Sequence, residues 1–266
     1  MRLERKYGGG LMSDRKLDTL LTLDIINSIA TVALHAPPVN ALSQLMLDEI
    51  SSCFFKISQI QPRAVVLTGN MNYGFSAGAN IRELVNQNLQ SNRQFFANLY
   101  QLFNQLENVP FPLIVAINRF AMGAGLELAL CADIRVMDDN ARLAAAGVNM
   151  GLVFGTQRLS RLVGLGQAKN MVLTGRQVFA REAYDIGLVQ YLSPPGQALN
   201  QAGKLAELIA QKSSLSVQGA KKVLNAGFDL PIDKGLHLEF EQLEKMLASE
   251  DFQQRTQAFL NKTAKL

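Results

Sequence analysis

The sequence has no tryptophan, only two cysteines and two histidines, and no apolar run approaching the ~20 residues that span a bilayer. Each shortage excludes a class of function. Without tryptophan, and with no aromatic-plus-basic cluster, there is no platform on which bases would stack, so nucleic acid is not an expected partner. Cys53 and Cys131 sit in apolar, helix-like contexts and read as buried free thiols in a reducing cytoplasm. With His35 and His237 as the only histidines, a His/Cys metal site is not expected. The formal net charge of +4 is mild and scattered, which suits a phosphate-bearing small molecule and gives no sign of a nucleic-acid or membrane partner. Met1 to Lys6 lead into no signal-like apolar stretch, and Gly8-Gly9-Gly10 precedes a second methionine, Met12. Residues 1–13 are therefore expected to form a disordered extension.

What remains is an ordinary globular mixture, 48% apolar and 18% charged over 266 residues. Leu20–Leu23 and Ile29–Leu34 read as two short strands around an Asn27-Ser28 turn, the second ended by Pro37-Pro38. Ser43 is placed to cap a helix carrying Leu45, Leu47, Ile50 and Phe54. Ala64–Leu67, Leu113–Ile117 and Ile134–Met137 are continuous apolar runs, the pattern of strands buried on both faces of a parallel sheet. Helices are expected between them, over 81–107 and 124–132. Beyond residue 195 the strand pattern stops, and helical spacing over 197–212, 214–226 and 236–248 takes its place. The expected organisation is an α/β core over 14–195 and a C-terminal helical region over 196–266.

Three readings of the glycine-bearing stretches compete. Gly74-Phe75-Ser76-Ala77-Gly78 fits G-x-S-x-G, the nucleophile elbow of serine hydrolases, but Gly69 to Tyr73 separate the serine from its strand, and the only later histidine is His237. Gly123-Ala124-Gly125 opens like a dinucleotide fingerprint, yet position 128 is Leu128 and the turn is long. The third reading joins the two stretches. Each follows a buried strand, has little side-chain bulk and opens a helix, whose first N–H groups are free to bind negative charge. Two such starts converging on one oxygen would make an oxyanion hole, each donor worth ~3–4 kcal/mol of barrier.

Phe75-Ser76-Ala77-Gly78-Ala79-Asn80-Ile81 resembles the S/A-A-G-A-D-[IL] segment of the crotonase (enoyl-CoA hydratase/isomerase) superfamily. Asn118 to Ala129 is similar to its second segment, N-G-x-A-x-G-G-G-x-E-L-A, and continues into Cys131-Ala132-Asp133-Ile134-Arg135. Pro38 to Leu42, Gly155-Thr156-Gln157-Arg158-Leu159, Leu173-Thr174-Gly175 and Gly187-Leu188-Val189 extend the match in order over about residues 17–262. The resemblance implies an α/β fold, a spiral of β-β-α units with a C-terminal helical trimerisation region, assembled as a homotrimer or hexamer. It implies an acyl-CoA substrate whose enolate is held by the N–H groups of Ala79 and Ala124. It also implies that Ala77, Gly78, Asn80, Ile81 and Gly123 contact the CoA moiety, which enters with the substrate, so that no separate cofactor, metal or nicotinamide is needed. Asn80 stands where the family has aspartate and is expected to cap its helix through the amide oxygen. Ala124 stands where the family has glycine, which matters only at positive φ.

One departure bears on mechanism. Hydratases of the family use two glutamates, and Glu127 aligns with the first. The second belongs in a stretch like F-A-x-P-E, where this chain reads Leu143-Ala144-Ala145-Ala146-Gly147, followed by a shortened loop. No acidic residue lies from 140 to 181. Acid–base help is worth ~10²–10⁴-fold, so two-carboxylate hydration is expected to suffer. Isomerisation, decarboxylation or slow hydration by Glu127 alone fits the remaining groups, with Asn149 a candidate to orient a water near the missing carboxylate. The alternatives are a non-catalytic acyl-CoA-binding homologue or support subunit and, more distantly, a serine hydrolase.

Overall fold

The computed structural model describes residues 20–263; the extension expected over 1–13, and the first residues of the expected core, lie outside the described residues. The chain begins with strands β1 (Leu21–Ile26) and β2 (Ile29–Leu34), paired antiparallel from Leu21↔Leu34 to Ile26↔Ile29. Asn27 and Ser28 both take positive φ (52° and 63°), the two-residue turn whose twist matches a hairpin. After it the chain repeats one pattern, a long strand, a short strand and then a helix. The first turn has β2, β3 (Ala41–Leu42) and α1 (Gln44–Ile60), with Ser43 Oγ accepting from Met46 N–H as its cap. The second has β4 (Ala64–Gly69), β5 (Gly78–Ala79), α2 (Ile81–Val85) and α3 (Leu89–Glu107). The third has β6 (Leu113–Ile117), β7 (Phe120–Met122) and α4 (Ala124–Leu130). The fourth has β8 (Ile134–Asp138), β9 (Arg142–Ala144), a 3₁₀ turn at Ala146–Met150 and α5 (Gln157–Thr174). Then come β10 (Gln177–Phe179), α6 (Ala180–Asp185) and β11 (Tyr191–Ser193).

The long strands form one sheet in the order β1-β2-β4-β6-β8-β11, parallel from β2 onward. Every residue of β4 and β6 is buried, which is why both read as unbroken apolar runs. The short strands form a second layer: β3 pairs with β5, a bridge joins Ser76 to Ala121, and β7 pairs with β9, which pairs with β10. This is the α/β spiral of β-β-α units that the sequence implied.

Four helices follow: α7 (Ala198–Ala210), α8 (Ser214–Gly227), α9 (Ile232–Leu247) and α10 (Glu250–Thr263). Helix α7 packs Ala198, Ala202 and Ala206 on Ala64, Val66, Ile114 and Val136 of the sheet; small residues permit that close approach. Its start is capped by Asp138, which accepts from the N–H groups of Gly196, Gln197 and Ala198. Helix α8 is tied to the core by Lys221, whose Nζ reaches Asp133 Oδ2 at 2.8 Å and Phe111 O at 3.0 Å. Leu224, Phe228, Ile232, Leu236 and Phe240 of this region are exposed in the single chain. No helix among the described residues is long and apolar enough to cross a membrane.

Three expectations need correction. The helix over 81–107 is two helices, because Asn88 Oδ1 accepts from Ser91 N–H and starts α3 afresh. The helix expected over 124–132 ends at Leu130, with Cys131 and Ala132 donating in tighter three-residue turns to Leu128 O and Ala129 O. The C-terminal region holds a fourth helix, α10, and its third begins at Ile232 directly after Pro231 rather than at 236.

Candidate active site

The two glycine-bearing stretches meet in the second layer. Ser76 N–H donates to Phe120 O, and Met122 N–H donates back to Ser76 O at 3.0 Å. Gly78 has φ +94°, and a Cβ there would lie 2.6 Å from Met122 O and 3.1 Å from Ala124 N. Only a residue without a side chain lets β5 run this close to the start of α4. Gly125 is constrained likewise, since a Cβ would stand 2.5 Å from Ser76 O. Asn80 N–H donates to Leu42 O at 2.9 Å, so the N–H of Ala79, one residue back, faces away from β3. Ala124 is the first residue of α4, where the N–H has no partner within the helix. Its φ is not positive, so alanine fits where the family has glycine; Gly123 before it does take φ +51°.

The other residues named for CoA contact are spread along the same segment. Ala77 is exposed and its N–H donates to Val39 O; Ile81 is half-buried against the core. Asn80 precedes α2 but makes no side-chain capping bond, contrary to expectation.

Glu127 lies one turn along α4 from Ala124 and is 3% exposed. Its Oε1 accepts from Arg158 Nη1 at 2.9 Å, while its Oε2 is buried with no hydrogen-bond partner. That free oxygen lies beside Gly155, where a Cβ would stand 3.5 Å from it. Burial pushes the Glu127 pKa above the usual carboxylate range, Arg158 pulls against the rise, and Glu107 adds to it. The Arg158 guanidinium is opposed by burial, yet its carboxylate partners hold its pKa above normal. Glu127 and Arg158 line a cavity of about 970 Å³ together with Tyr100, Glu107, Phe154 and Leu162. Tyr100 packs its ring 5.5 Å from that of Phe154, and burial and the Glu127 charge raise its pKa. Neither Ala79 nor Ala124 lines that cavity, whereas Glu127 does.

Gly147 lies in the 3₁₀ turn, its O accepting from Leu152 N–H, and a Cβ there would meet Leu152 O at 3.1 Å and Phe154 Cβ at 3.4 Å. Asn149, the candidate to orient a water, is bonded through its Nδ2 to Gly175 O at 3.1 Å. The hydrolase constellation is not assembled. Ser76 Oγ donates to Asn40 O at 2.7 Å and accepts from Gly78 N–H at 3.1 Å. His237 is exposed beside Glu241, and His35 contacts Asn70 and Tyr73. Among the described residues no group of three His, Cys, Asp or Glu is placed to hold a metal. Sequence reasoning gave no role to Arg158, Glu107 or Asn104; the one signal available was Arg158 within the matched Gly155–Leu159 stretch.

A family model for enoyl-CoA hydratase/isomerase matches residues 24–265. A short-chain-enoyl-CoA hydratase of Clostridium acetobutylicum is 35% identical over 241 residues, 88% of this chain and 92% of that one. A crotonyl-CoA hydratase of Syntrophomonas wolfei is 32% identical over 91% of this chain and 95% of its own length. The crystal structure of an enoyl-CoA hydratase from Bacillus anthracis superposes with a TM-score of 0.88 at 30% identity, covering 91% of this chain and 96% of that one. With the fold, the ordered motifs and these likenesses in agreement, the chain belongs to the enoyl-CoA hydratase/isomerase family, the crotonase superfamily.

Proposed function

We propose that the chain acts on an acyl-CoA thioester and stabilises its enolate, with the N–H groups of Ala79 and Ala124 as oxyanion hole and Glu127 as the one acid–base carboxylate. The observation that carries this reading is the closeness of β5 to the start of α4, with Gly78 leaving no room for a side chain beside Ala124 N. Removing the α-proton moves an electron pair toward the thioester oxygen, and two N–H donors fixed beforehand stabilise that charge without reorganising. Glu127 is the base that takes the proton. Its buried Oε2, without a hydrogen-bond partner, leaves one carboxylate oxygen open to accept and return a proton. Ala77, Gly78, Asn80, Ile81 and Gly123 would hold the CoA moiety, mainly through the main chain.

Single-carboxylate chemistry fits better than two-carboxylate hydration, because position 147 is glycine in a turn closed by Leu152 and Phe154. A double-bond shift needs one group to move a proton between two carbons, and decarboxylation needs only the oxyanion hole to hold the enolate. Hydration, the activity in the names of the relatives, is expected to be slow. The same absence supports a second reading, a non-catalytic acyl-CoA-binding homologue. Turnover assays over a panel of saturated, enoyl and β-carboxy acyl-CoA thioesters separate the two. No turnover and no α-hydrogen exchange, with CoA binding intact, would leave the binding homologue. We also propose a homotrimer or hexamer built through α8–α10, whose exposed Leu224, Phe228, Ile232, Leu236 and Phe240 call for cover; a stable monomer in light scattering would refute it. The buried free thiols Cys53 and Cys131 are consistent with a reducing cytoplasm as the compartment.

A further inference from the structure

Three polar residues next to Glu127 have no task in the reading above: Arg158, Glu107 and Asn104. Arg158 is in the first turn of α5, Asn104 and Glu107 end α3, and Glu127 is on α4, so three helices meet through one guanidinium. Its Nη1 donates to Glu127 Oε1 at 2.9 Å. Its Nε and Nη2 donate to Glu107 Oε2 at 3.0 and 2.8 Å, and Nη2 also donates to Asn104 Oδ1 at 2.7 Å. A guanidinium held at this many points cannot turn freely. The carboxylate it grips is therefore fixed in one orientation, with Oε2 left unpartnered beside Gly155.

We propose that Arg158 is a positioning residue for Glu127: it occupies one carboxylate oxygen, presents the other as the proton-accepting atom, and is itself held by Glu107 and Asn104. This rests on the reading of Glu127 as the base. A carboxylate this deep would otherwise tend to pick up a proton and stop acting as a base. The other cations lining the cavity are engaged elsewhere: Arg161 with Asp229, Arg135 with the Ala132 and Leu188 carbonyls, and Lys221 with Asp133 and the Phe111 carbonyl. Tyr100 and Glu107 are neutral and negative, and Cys131, which donates to Glu127 O at 3.2 Å, is kept as a neutral thiol by its burial. Arginine suits this place because its planar fork serves two carboxylates at once, which a lysine ammonium cannot match in geometry.

The test pairs a titration with a rate. Protein carrying ¹³C-labelled glutamate reports the Glu127 carboxyl by NMR, assigned with Glu127→Gln, and deuterium uptake at the α-carbon of butyryl-CoA reports its use as a base. In Arg158→Met the Glu127 midpoint should move upward by about 1–3 on the pH scale, the effect of losing an opposite charge at this range. Exchange at neutral pH should fall at least ~10-fold, with kcat rather than KM carrying the loss and the rate recovering at higher pH. Arg158→Lys should restore most of the midpoint but only part of the rate, separating charge from geometry. Should Arg158→Met not fold, Glu107→Gln at the rim of the network tests the anchoring instead: with a negative charge removed the Glu127 midpoint should move downward, yet exchange should fall because the guanidinium loses its hold, and unchanged exchange would overturn the proposal. A folded variant whose midpoint and acidic limb match the wild type would overturn the proposal. So would Arg158→Lys no better than Arg158→Met by either measure. A wild type without any exchange would instead refute Glu127 as base, while the NMR midpoint still decides whether Arg158 controls its charge.

Discussion

Glutamine at position 127 isolates the proton from every other property of the side chain. Its amide oxygen can keep the bond from Arg158 Nη1, now at 2.9 Å, and its volume matches the buried site. Arg158 keeps Glu107 and Asn104 as partners, so the loss of the Glu127 charge should cost less than the ~3–5 kcal/mol of a buried charge left alone. The amide cannot exchange a proton usefully. Acid–base help of ~10²–10⁴-fold should vanish, which is about 2.7–5.4 kcal/mol of barrier at 1.36 kcal/mol per decade. Deuterium uptake into butyryl-CoA, followed by mass spectrometry, should therefore fall by at least ~100-fold in Glu127→Gln. Calorimetric affinity for CoA should stay within about threefold, since the proposed CoA contacts lie on the Ala77–Ile81 segment and at Gly123. Exchange within about twofold of the wild type would show that another group takes the proton. Fast hydration of crotonyl-CoA that survives the substitution would show the same.

Because the folded pKa of Glu127 lies above its unfolded value, its favourable contribution to stability is complete below the unfolded pKa and is lost as pH rises through the folded one. The thermal midpoint of the wild type relative to Glu127→Gln should thus be highest below about pH 4.5 and decline above it, and a flat difference would contradict the burial argument. Gly78→Ala, with its Cβ 2.6 Å from Met122 O at φ +94°, should part β5 from α4 and cut exchange by ~100-fold or more, the cost of a lost oxyanion donor; retained activity would count against the proposed hole. Ser76→Ala should destabilise the fold by about 1–3 kcal/mol, as Asn40 O and Gly78 N–H lose their buried partner, yet leave turnover; complete loss with normal CoA binding would revive the hydrolase reading. Gly147→Glu should add a hydration rate well short of a two-glutamate enzyme and cost about 1–3 kcal/mol, because its Cβ meets Leu152 O at 3.1 Å; full hydratase activity would show that the short loop places a carboxylate well.

The parts of the fold that were legible are those where burial writes a pattern. β4, β6 and β8 are covered on both faces and stood out as apolar runs. The short strands β3 and β5 have two residues each and β7 three, too few for any periodicity, and they pair only because the long strands bring them together. The break before α3 depended on one side-chain bond at Asn88, and α10 was missed because its only large apolar residues are Phe252, Phe259 and Leu260. At the site, Glu127 was legible through motif resemblance. Its partners were not: Arg158 is 31 positions from Glu127 and 51 from Glu107, and no local rule joins such distant charges.

The two proposed oxyanion donors belong to the main chain, and a main-chain N–H has no codon of its own. Substitutions at Ala79 or Ala124 that keep the backbone path leave the donor in place, whatever side chain arrives. The genetic vulnerability of such a hole sits instead at Gly78 and Gly125, neighbours that give the thioester oxygen no hydrogen bond but whose missing Cβ atoms let the two segments meet. A mutational scan of this chain scored by deuterium exchange should therefore look displaced, tolerant at half-buried Ala79 and intolerant one position away at Gly78, while the burial of Ala124 limits the size of what can replace it.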